Sequence, residues 1–336
     1  MKRLLMFATP LLMVFAGQVG PPQESSDPAG TLKVALRTST LEQPEAIEVI
    51  DIHLHALNPA TFIRAMGLDP NKDLAQGRMA TDQEELFLRT VRGLEDNNIG
   101  CALVQGNNAL VAEWVQRCPD RRMLGAFCPD IWVEGFDQMD HVAEAKKFGE
   151  QVDAGAYHAI GELLHVYEGI PLDWPVLFPY YAVAEQKGIP VMFHCGNTYG
   201  SEDSPQQTGG FDAKMDVNAN PRLLSVIAAK FPKLKIVACH AGMESLDELI
   251  LVMRRYPLVG ADISNLNWSP GDPRLVRAFE HFRADGMMHR VYFGSDQCIF
   301  PELIGRTVAN TRQLLSEEEQ RLVFRDNAKT LLGLSK

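Results

Sequence analysis

The sequence predicts a single-domain α/β fold, a (β/α)8 TIM barrel. Three observations carry that expectation. From about Glu48 onward, eight short β-branched or apolar runs alternate with segments of helical period. Several returns from helix to strand carry glycine or proline, at Gly100, Gly188, Pro190, Pro232 and Pro257, as helix ends prefer. No Gly-x-Gly-x-x-Gly follows the first run, which removes support for a dinucleotide-binding open sheet. Repeated βα order implies parallel strands with right-handed crossovers, and eight units in about 290 residues suit a closed barrel.

The chain opens on a different kind of element. Lys2 and Arg3 precede an apolar stretch over 4–16 broken only by Thr9 and Pro10, with Val14 and Ala16 at small-residue positions. This is the layout of a secretory signal peptide cut after about residue 16. The stretch is short for a membrane span, so no stable membrane anchor is expected after cleavage, and the expected location is the bacterial periplasm. Residues 17–46, rich in Pro, Ser, Gln and Glu, read as a tether, and 47–334 as the barrel.

The eight runs are EVIDIHLH (48–55), GCALVQG (100–106), RMLGAFC (122–128), AIGELL (159–164), IPVMFHC (189–195), LKIVACH (234–240), LVGADIS (258–264) and RVYFGSD (290–296). Amphipathic stretches at 84–97, 141–154, 221–231 and 243–256 supply helices, and a closing helix is expected near 317–332. Composition agrees with a folded domain: 46% hydrophobic and 22% charged residues argue against disorder. The formal charge of −11 repels phosphate backbones, so a small molecule rather than a nucleic acid is the expected partner. The sequence leaves room for a homo-oligomer.

In such a barrel the C-terminal ends of the strands build the active site. Those ends carry His53 and His55, Gln105 to Asn108, Cys128 to Asp130, Glu162, His194, His240, Asp262 and Asp296. Alternation with period two puts His53 and His55 on one face with Asp51 beneath them. Ile50, Ile52 and Leu54 fall on the other face, suited to packing on helices. The same parity aligns His240 with Ala238 and Ile236, and Asp296 with Tyr292 and Gly294. Imidazole nitrogens and carboxylate oxygens are the donors that divalent metals take. Only nine histidines are present, and four of them fall at these points.

Asp51-Ile52-His53-Leu54-His55, Phe193-His194-Cys195-Gly196, Cys239-His240-Ala241-Gly242 and Phe293-Gly294-Ser295-Asp296, in this order, resemble the amidohydrolase superfamily. Within it they are most similar to the branch of aminocarboxymuconate-semialdehyde decarboxylase-like hydrolases and decarboxylases. The resemblance implies that His53, His55, His194 and Asp296 hold a divalent ion, with Zn²⁺ the expected metal. It implies that His240 is a catalytic imidazole near the metal or a ligand of a second ion, and that Asp296 is also the general base. Glu162 departs from the mononuclear pattern of this branch, because binuclear members place a bridging carboxylate on strand four. An unpaired carboxylate in the apolar run 160–164 is costly to bury, so Glu162 needs a metal or a cationic partner. If it bridges, His194 and His240 belong to the second ion.

Weaker candidates surround the mouth. Asn58, Gln105, Asn107, Asn108 and Asp130 orient ligands or cap loops. The segment from Gly196 to Asn218 is a lid or a surface loop, and Trp174, Tyr199, Trp268 and Phe300 are candidates for an aromatic wall. The six cysteines are an even number in an exported chain, but Cys118 and Cys128 flank strand three roughly 16 Å apart, beyond the 7 Å or so that a disulfide spans, so mostly free thiols are expected. The leading function is a metal-dependent hydrolase of a lactone, ester or amide through a metal-activated water. The alternatives are a non-oxidative decarboxylase, with Arg64 or Arg254 anchoring the substrate carboxylate, and a non-catalytic exported metal- or ligand-binding protein.

Overall fold

The structure, a computed structural model, describes residues 47–73, 77–118, 123–196 and 217–334. The leader, the tether and most of the expected lid segment, with Tyr199, lie outside the described residues. Eight strands run parallel, each hydrogen-bonded to the next in chain order: β1 (Val49–Ala56), β2 (Ile99–Gly106), β3 (Met123–Phe127), β4 (Ala159–Leu163), β5 (Pro190–Phe193), β6 (Lys235–Ala238), β7 (Val259–Asp262) and β8 (Val291–Tyr292). Beyond β8 the chain returns to β1. Ile52 N donates to Phe293 O at 3.0 Å and Asp296 N to His53 O at 2.8 Å, so the barrel is nearly closed.

Helices α1 (Pro59–Met66), α2 (Gln83–Asp96), α3 (Asn108–Arg117), α4 (His141–Asp153), α5 (Phe178–Lys187), α6 (Leu224–Lys230), α7 (Leu246–Arg255), α8 (Pro273–Ala284) and α9 (Leu303–Arg312) surround it, followed by α10 (Glu317–Arg321) and α11 (Asn327–Leu332). Their starts follow from local chemistry. Asn58, Asp82, Asn107, Asp140 and Asp272 each accept a backbone N–H of the first turn, which satisfies donors that a helix start leaves unpaired. The amphipathic faces of these helices then bury against the outward residues of the strands. No helix among the described residues is long and apolar enough to cross a membrane.

The barrel interior is a separate apolar layer. It takes Ile50 and Ile52 from β1, Cys101 and Leu103 from β2, Ala126, Ala159, Met192, Val237 and Tyr292, with Cys239 just past β6 and Ala328 and Leu331 from α11 below. β7 contributes Gly260, where a Cβ would come within 2.7 Å of the Tyr292 ring, so the glycine makes room for that ring.

This layer corrects the expected parity of β1. Ile50 and Ile52 face the interior, not the helices. A register shift between Asp51 and Leu54 inserts an extra residue in β1 relative to β2. Such a bulge re-aims the residues after it, so His53 and His55 also turn inward above the two isoleucines, while Leu54 joins the outer core. β6 differs in a similar way. Ile236 and Ala238 face outward and Val237 inward, so simple alternation would send His240 outward. The strand instead ends at Ala238, and His240 adopts φ 58°, which turns its ring into the barrel mouth.

Candidate metal centre

Each expected site residue reaches the same end of the barrel. His53 and His55 lie near the end of β1, Glu162 on β4, His194 one residue past β5, His240 on the turn after β6, and Asp296 beyond β8. All six are buried. His53 Nε2 lies 3.1 Å from His55 Nε2 and 3.2 Å from Glu162 Oε2. His55 Nε2 lies 3.1 Å from Asp296 Oδ1 and 3.6 Å from Glu162 Oε2. The other Glu162 oxygen, Oε1, lies 2.8 Å from His194 Nδ1 and 3.1 Å from His240 Nε2, and these two nitrogens are 3.1 Å apart. Glu162 thus stands between two histidine pairs and gives one oxygen to each.

The backbone is strained where it delivers these groups. His240, Ala241, Met243, Asp296 and Cys298 all have positive φ. Non-glycine residues of this kind cost of order 1–3 kcal/mol each and persist where surrounding contacts over-determine them. Here the contacts are His240 N to Asp262 Oδ1 at 3.0 Å and Asp296 N to His53 O at 2.8 Å. Gly294 opens the remaining space, since a Cβ there would lie 2.5 Å from His53 Cβ.

With protons as the counter-charge, the cluster polarises strongly. Burial pulls the His53 imidazole down, but the Glu162 and Asp262 carboxylates outweigh it and hold His53 well above the usual histidine range. Burial raises Glu162, and the His53 and His194 charges overcome this and hold its carboxyl well below the usual range. Burial likewise raises Asp296, against which hydrogen bonding to His55 and the His53 charge win, leaving it lowered. His194 is lowered by burial.

The donor chemistry fits a divalent cation. Asp262 Oδ2 sits 2.9 Å from His53 Nδ1, and a carboxylate only accepts, so that nitrogen carries the proton. In the neutral ring His53 Nε2 is then a lone pair, and it faces His55 Nε2 and Glu162 Oε2, so without a cation only a second proton on the ring can offset these acceptors. Acceptors converging on acceptors in a dry site call for a positive charge among them. Two triads offer one atom each within metal-binding reach, His53/His55/Glu162 and Glu162/His194/His240, and a third joins His53, His240 and Asp296. Adding Zn²⁺, Mn²⁺ or Co²⁺ to metal-stripped protein is therefore expected to raise the melting temperature. At a free concentration near 100 Kd, binding contributes about 2.7 kcal/mol, roughly 5 °C for a domain of this size. No shift with any of the three, by calorimetry, would count against the centre.

Several residues without an assigned role in the sequence support these groups. Asp51 Oδ1 accepts from His53 N and Ser295 N, both at 3.0 Å, and burial pushes its carboxyl up to about 6. Gln297 clasps the His55 backbone, with N–H to Oε1 at 2.9 Å and Nε2 to O at 2.7 Å. The Tyr167 hydroxyl lies 3.2 Å from His194 Nε2. Asp262 was legible by the logic applied to Glu162, an acid in an apolar strand. Ser264 closes the expected seventh strand run in phase with Asp262 and reads as a plain polar end, while Gln297 and Tyr167 lie outside all eight strand runs.

The weaker candidates resolve toward structure. Asn58 and Asn107 cap helices, and Asn108 holds both backbone polar groups of Cys128, at 3.0 and 2.9 Å. Gln105 Nε2 reaches Ile52 O at 3.3 Å. Trp268 Nε1 donates to Ser295 O at 2.9 Å, Trp174 packs near Phe136 and His165, and Phe300 is buried. Cys128, Cys195, Cys239 and Cys298 are free thiols, and Cys298 Sγ lies 3.2 Å from Asp296 Oδ1.

Arg254 does not belong to the site. It lies in the last turn of α7, which leads into the opposite end of the barrel, and it pairs with Asp285 at 2.8 Å. Arg254→Ala should leave kcat/KM within twofold and cost at most about 1 kcal/mol of stability, as exposed pairs do. A tenfold loss in kcat/KM would return it to the site. Arg64 is exposed on α1.

A family profile described as amidohydrolase matches residues 50–334. The chain belongs to the amidohydrolase family. Among proteins of curated function none matches it. Solved structures with the same fold include a probable 2-pyrone-4,6-dicarboxylic acid hydrolase from Acinetobacter baumannii, 15% identical at a TM-score of 0.59, covering 85% of this chain and all of that one. The 5-carboxyvanillate decarboxylase of Sphingomonas paucimobilis is 14% identical at 0.57, covering 86% of this chain and all of that one. The 2,6-dihydroxybenzoate decarboxylase of Rhizobium is 14% identical at 0.55, covering 86% of this chain and 99% of that one. Structures of the same fold thus include proteins named as a probable hydrolase and as decarboxylases, and this amidohydrolase carries residue clusters that could hold a divalent metal.

Proposed function

We propose that this amidohydrolase is a metal-dependent hydrolase of a small carbonyl substrate, a lactone, ester or amide. The observation that carries the reading is the position of Glu162, with Oε2 toward His53 and His55 and Oε1 toward His194 and His240. Its carboxylate suits a two-ion centre, with His53, His55 and Asp296 on one side and His194 and His240 on the other. Zn²⁺ is the proposed metal. A divalent ion held there supplies a lowered pKa for the attacking water and polarisation of the carbonyl oxygen.

The chain's own groups do the rest. Asp296 Oδ1, beside His55 Nε2 and within reach of Cys298, is the carboxylate on the outer side of His55 and serves as the general base. It takes the proton from the nucleophilic water and returns it to the leaving oxygen or nitrogen. His240, named above as either a catalytic imidazole or a ligand, is assigned to the second ion position, because its Nε2 faces Glu162 and His194.

Decarboxylation is the second reading, favoured by the fold neighbours named as decarboxylases. It requires a cationic anchor for the substrate carboxylate, and with Arg254 at the far end of the barrel only Arg64 of the two candidates remains. Purified protein with measured metal content, assayed on a panel of lactones, esters, amides and aromatic acids, separates the two by acid release against CO₂ release. CO₂ from an aromatic acid without hydrolysis of any carbonyl ester would overturn the leading reading. Less than about 0.1 ion per chain after growth with added metal would overturn both and favour a protein that binds a ligand without turning it over. We place the mature enzyme in the periplasm as a small-molecule enzyme free of nucleic acid, on the strength of the leader over 1–16 and the acidic balance. An intact mass that retains those residues would remove that placement.

A further inference from the structure

We propose that Asp262 and Ser264 form a hydrogen-bonded relay that fixes the tautomer of one imidazole on each side of Glu162, His53 on one and His240 on the other. The inference rests on the two-ion reading for its consequences at the metal, and for the tautomers on geometry with a cation beside Nε2. Asp262 Oδ2 lies 2.9 Å from His53 Nδ1. Its other oxygen, Oδ1, accepts from His240 N at 3.0 Å, from Ser264 N at 2.9 Å and from the Ser264 hydroxyl. Because Ser264 spends its only proton on Asp262, its oxygen is left as an acceptor, and it lies 2.9 Å from His240 Nδ1. Ser264 Oγ is also 3.2 Å from His53 Nδ1, and Ser264 O is 3.3 Å from His240 Nδ1. Every one of these partners of the two Nδ1 atoms accepts.

With a cation among the Glu162 donors, both imidazoles therefore carry their single proton on Nδ1 and turn the Nε2 lone pair toward it. A neutral histidine of the opposite tautomer would aim an N–H at the metal position. All the parts are buried without measurable exposure, apart from His240 at 2%, so water cannot substitute for a missing partner. Partners of this kind around metal-binding histidines are worth about 10- to 100-fold in affinity. Asp262 and Ser264 are positioning residues: both are fully buried and act through the two imidazoles.

The relay makes opposite predictions for two variants. In Asp262→Asn, three donors converge where Oδ1 stood, so the amide oxygen settles there. The NH₂ then faces His53 Nδ1 and forces the wrong tautomer on His53 alone. In Ser264→Ala, His53 keeps its carboxylate and His240 keeps only the longer contact to Ser264 O. Calorimetric titration of metal-stripped full-length protein with Zn²⁺ is expected to show two steps. Ser264→Ala should weaken one about tenfold, and Asp262→Asn the other by about 10- to 100-fold. Selective ¹⁵N-histidine spectra should show Nδ1–H on both His53 and His240 in the parent protein, loss of that signal from His53 in Asp262→Asn, and faster exchange of it at His240 in Ser264→Ala.

A parent protein lacking Nδ1–H on either residue overturns the relay, as do two variants that weaken the same step or none. A single binding step in the parent overturns the two-ion reading instead, and the imidazole signals, which need no second ion, then decide the relay by themselves.

Discussion

On the proposed two-ion reading, Glu162→Gln is expected to bring metal content from two ions per chain to one or fewer and to reduce turnover by about 10²- to 10³-fold. The loss corresponds to the several kcal/mol that a metal ion contributes to transition-state charge. The substitution keeps the shape of the side chain and removes its charge. The amide would also aim an NH₂ at one of the two histidine pairs. His53 Nε2 and His55 Nε2 lie 3.2 and 3.6 Å from Oε2, His194 Nδ1 and His240 Nε2 2.8 and 3.1 Å from Oε1. Whichever way the amide turns, a donor replaces an acceptor where a cation should sit. Elemental analysis and steady-state kinetics on the same preparation check this, with near-UV circular dichroism confirming the fold. Two ions per chain together with parent turnover would remove Glu162 from the centre.

Asp296→Asn is expected to lower kcat by about 10²- to 10⁴-fold, the range of a lost general base, while the fold persists. The backbone explains why asparagine is the right probe. Asp296 has φ 49°, a left-handed conformation that asparagine tolerates better than most residues, and its N–H to His53 O at 2.8 Å survives the change. Asp296→Ala would confound the result by removing the carboxylate and straining the turn together. The His194, His240 and Glu162 donors do not include Asp296, so at least one ion should remain bound. Turnover within threefold of the parent would remove Asp296 as base and pass the role to another group at the mouth.

The legible part of the candidate site was the set of residues that converge there. His53-x-His55, Glu162, His194, His240 and Asp296 each stand at or just past a strand end, and each is a residue type that an apolar strand end does not otherwise need. Their support was less visible. Asp262 could have been read by the argument used for Glu162. Ser264 and Gln297 act through contacts with residues more than 20 and 240 positions away in the chain, for which local patterning carries no signal. Arg254 shows the reverse error. Its charge suggested an anchor, but a helix running back along the barrel carries its last turn to the far end, where Asp285 neutralises it.

The order of strands and helices, the single barrel and the set of candidate donors followed from the sequence alone, because periodicity and residue chemistry are local properties written along the chain. Tertiary structure decided how the donors are aimed. A bulge in β1 placed Ile50, Ile52, His53 and His55 all inward, against strict alternation, and a left-handed turn at His240 reversed the parity of β6. Both depend on contacts between distant strands: the register of β1 on β2, and the Asp262 carboxylate that holds the His240 N–H. Only the closed barrel brings the two oxygens of Glu162 to different histidine pairs, which separates one shared candidate centre from four histidines at three strand ends.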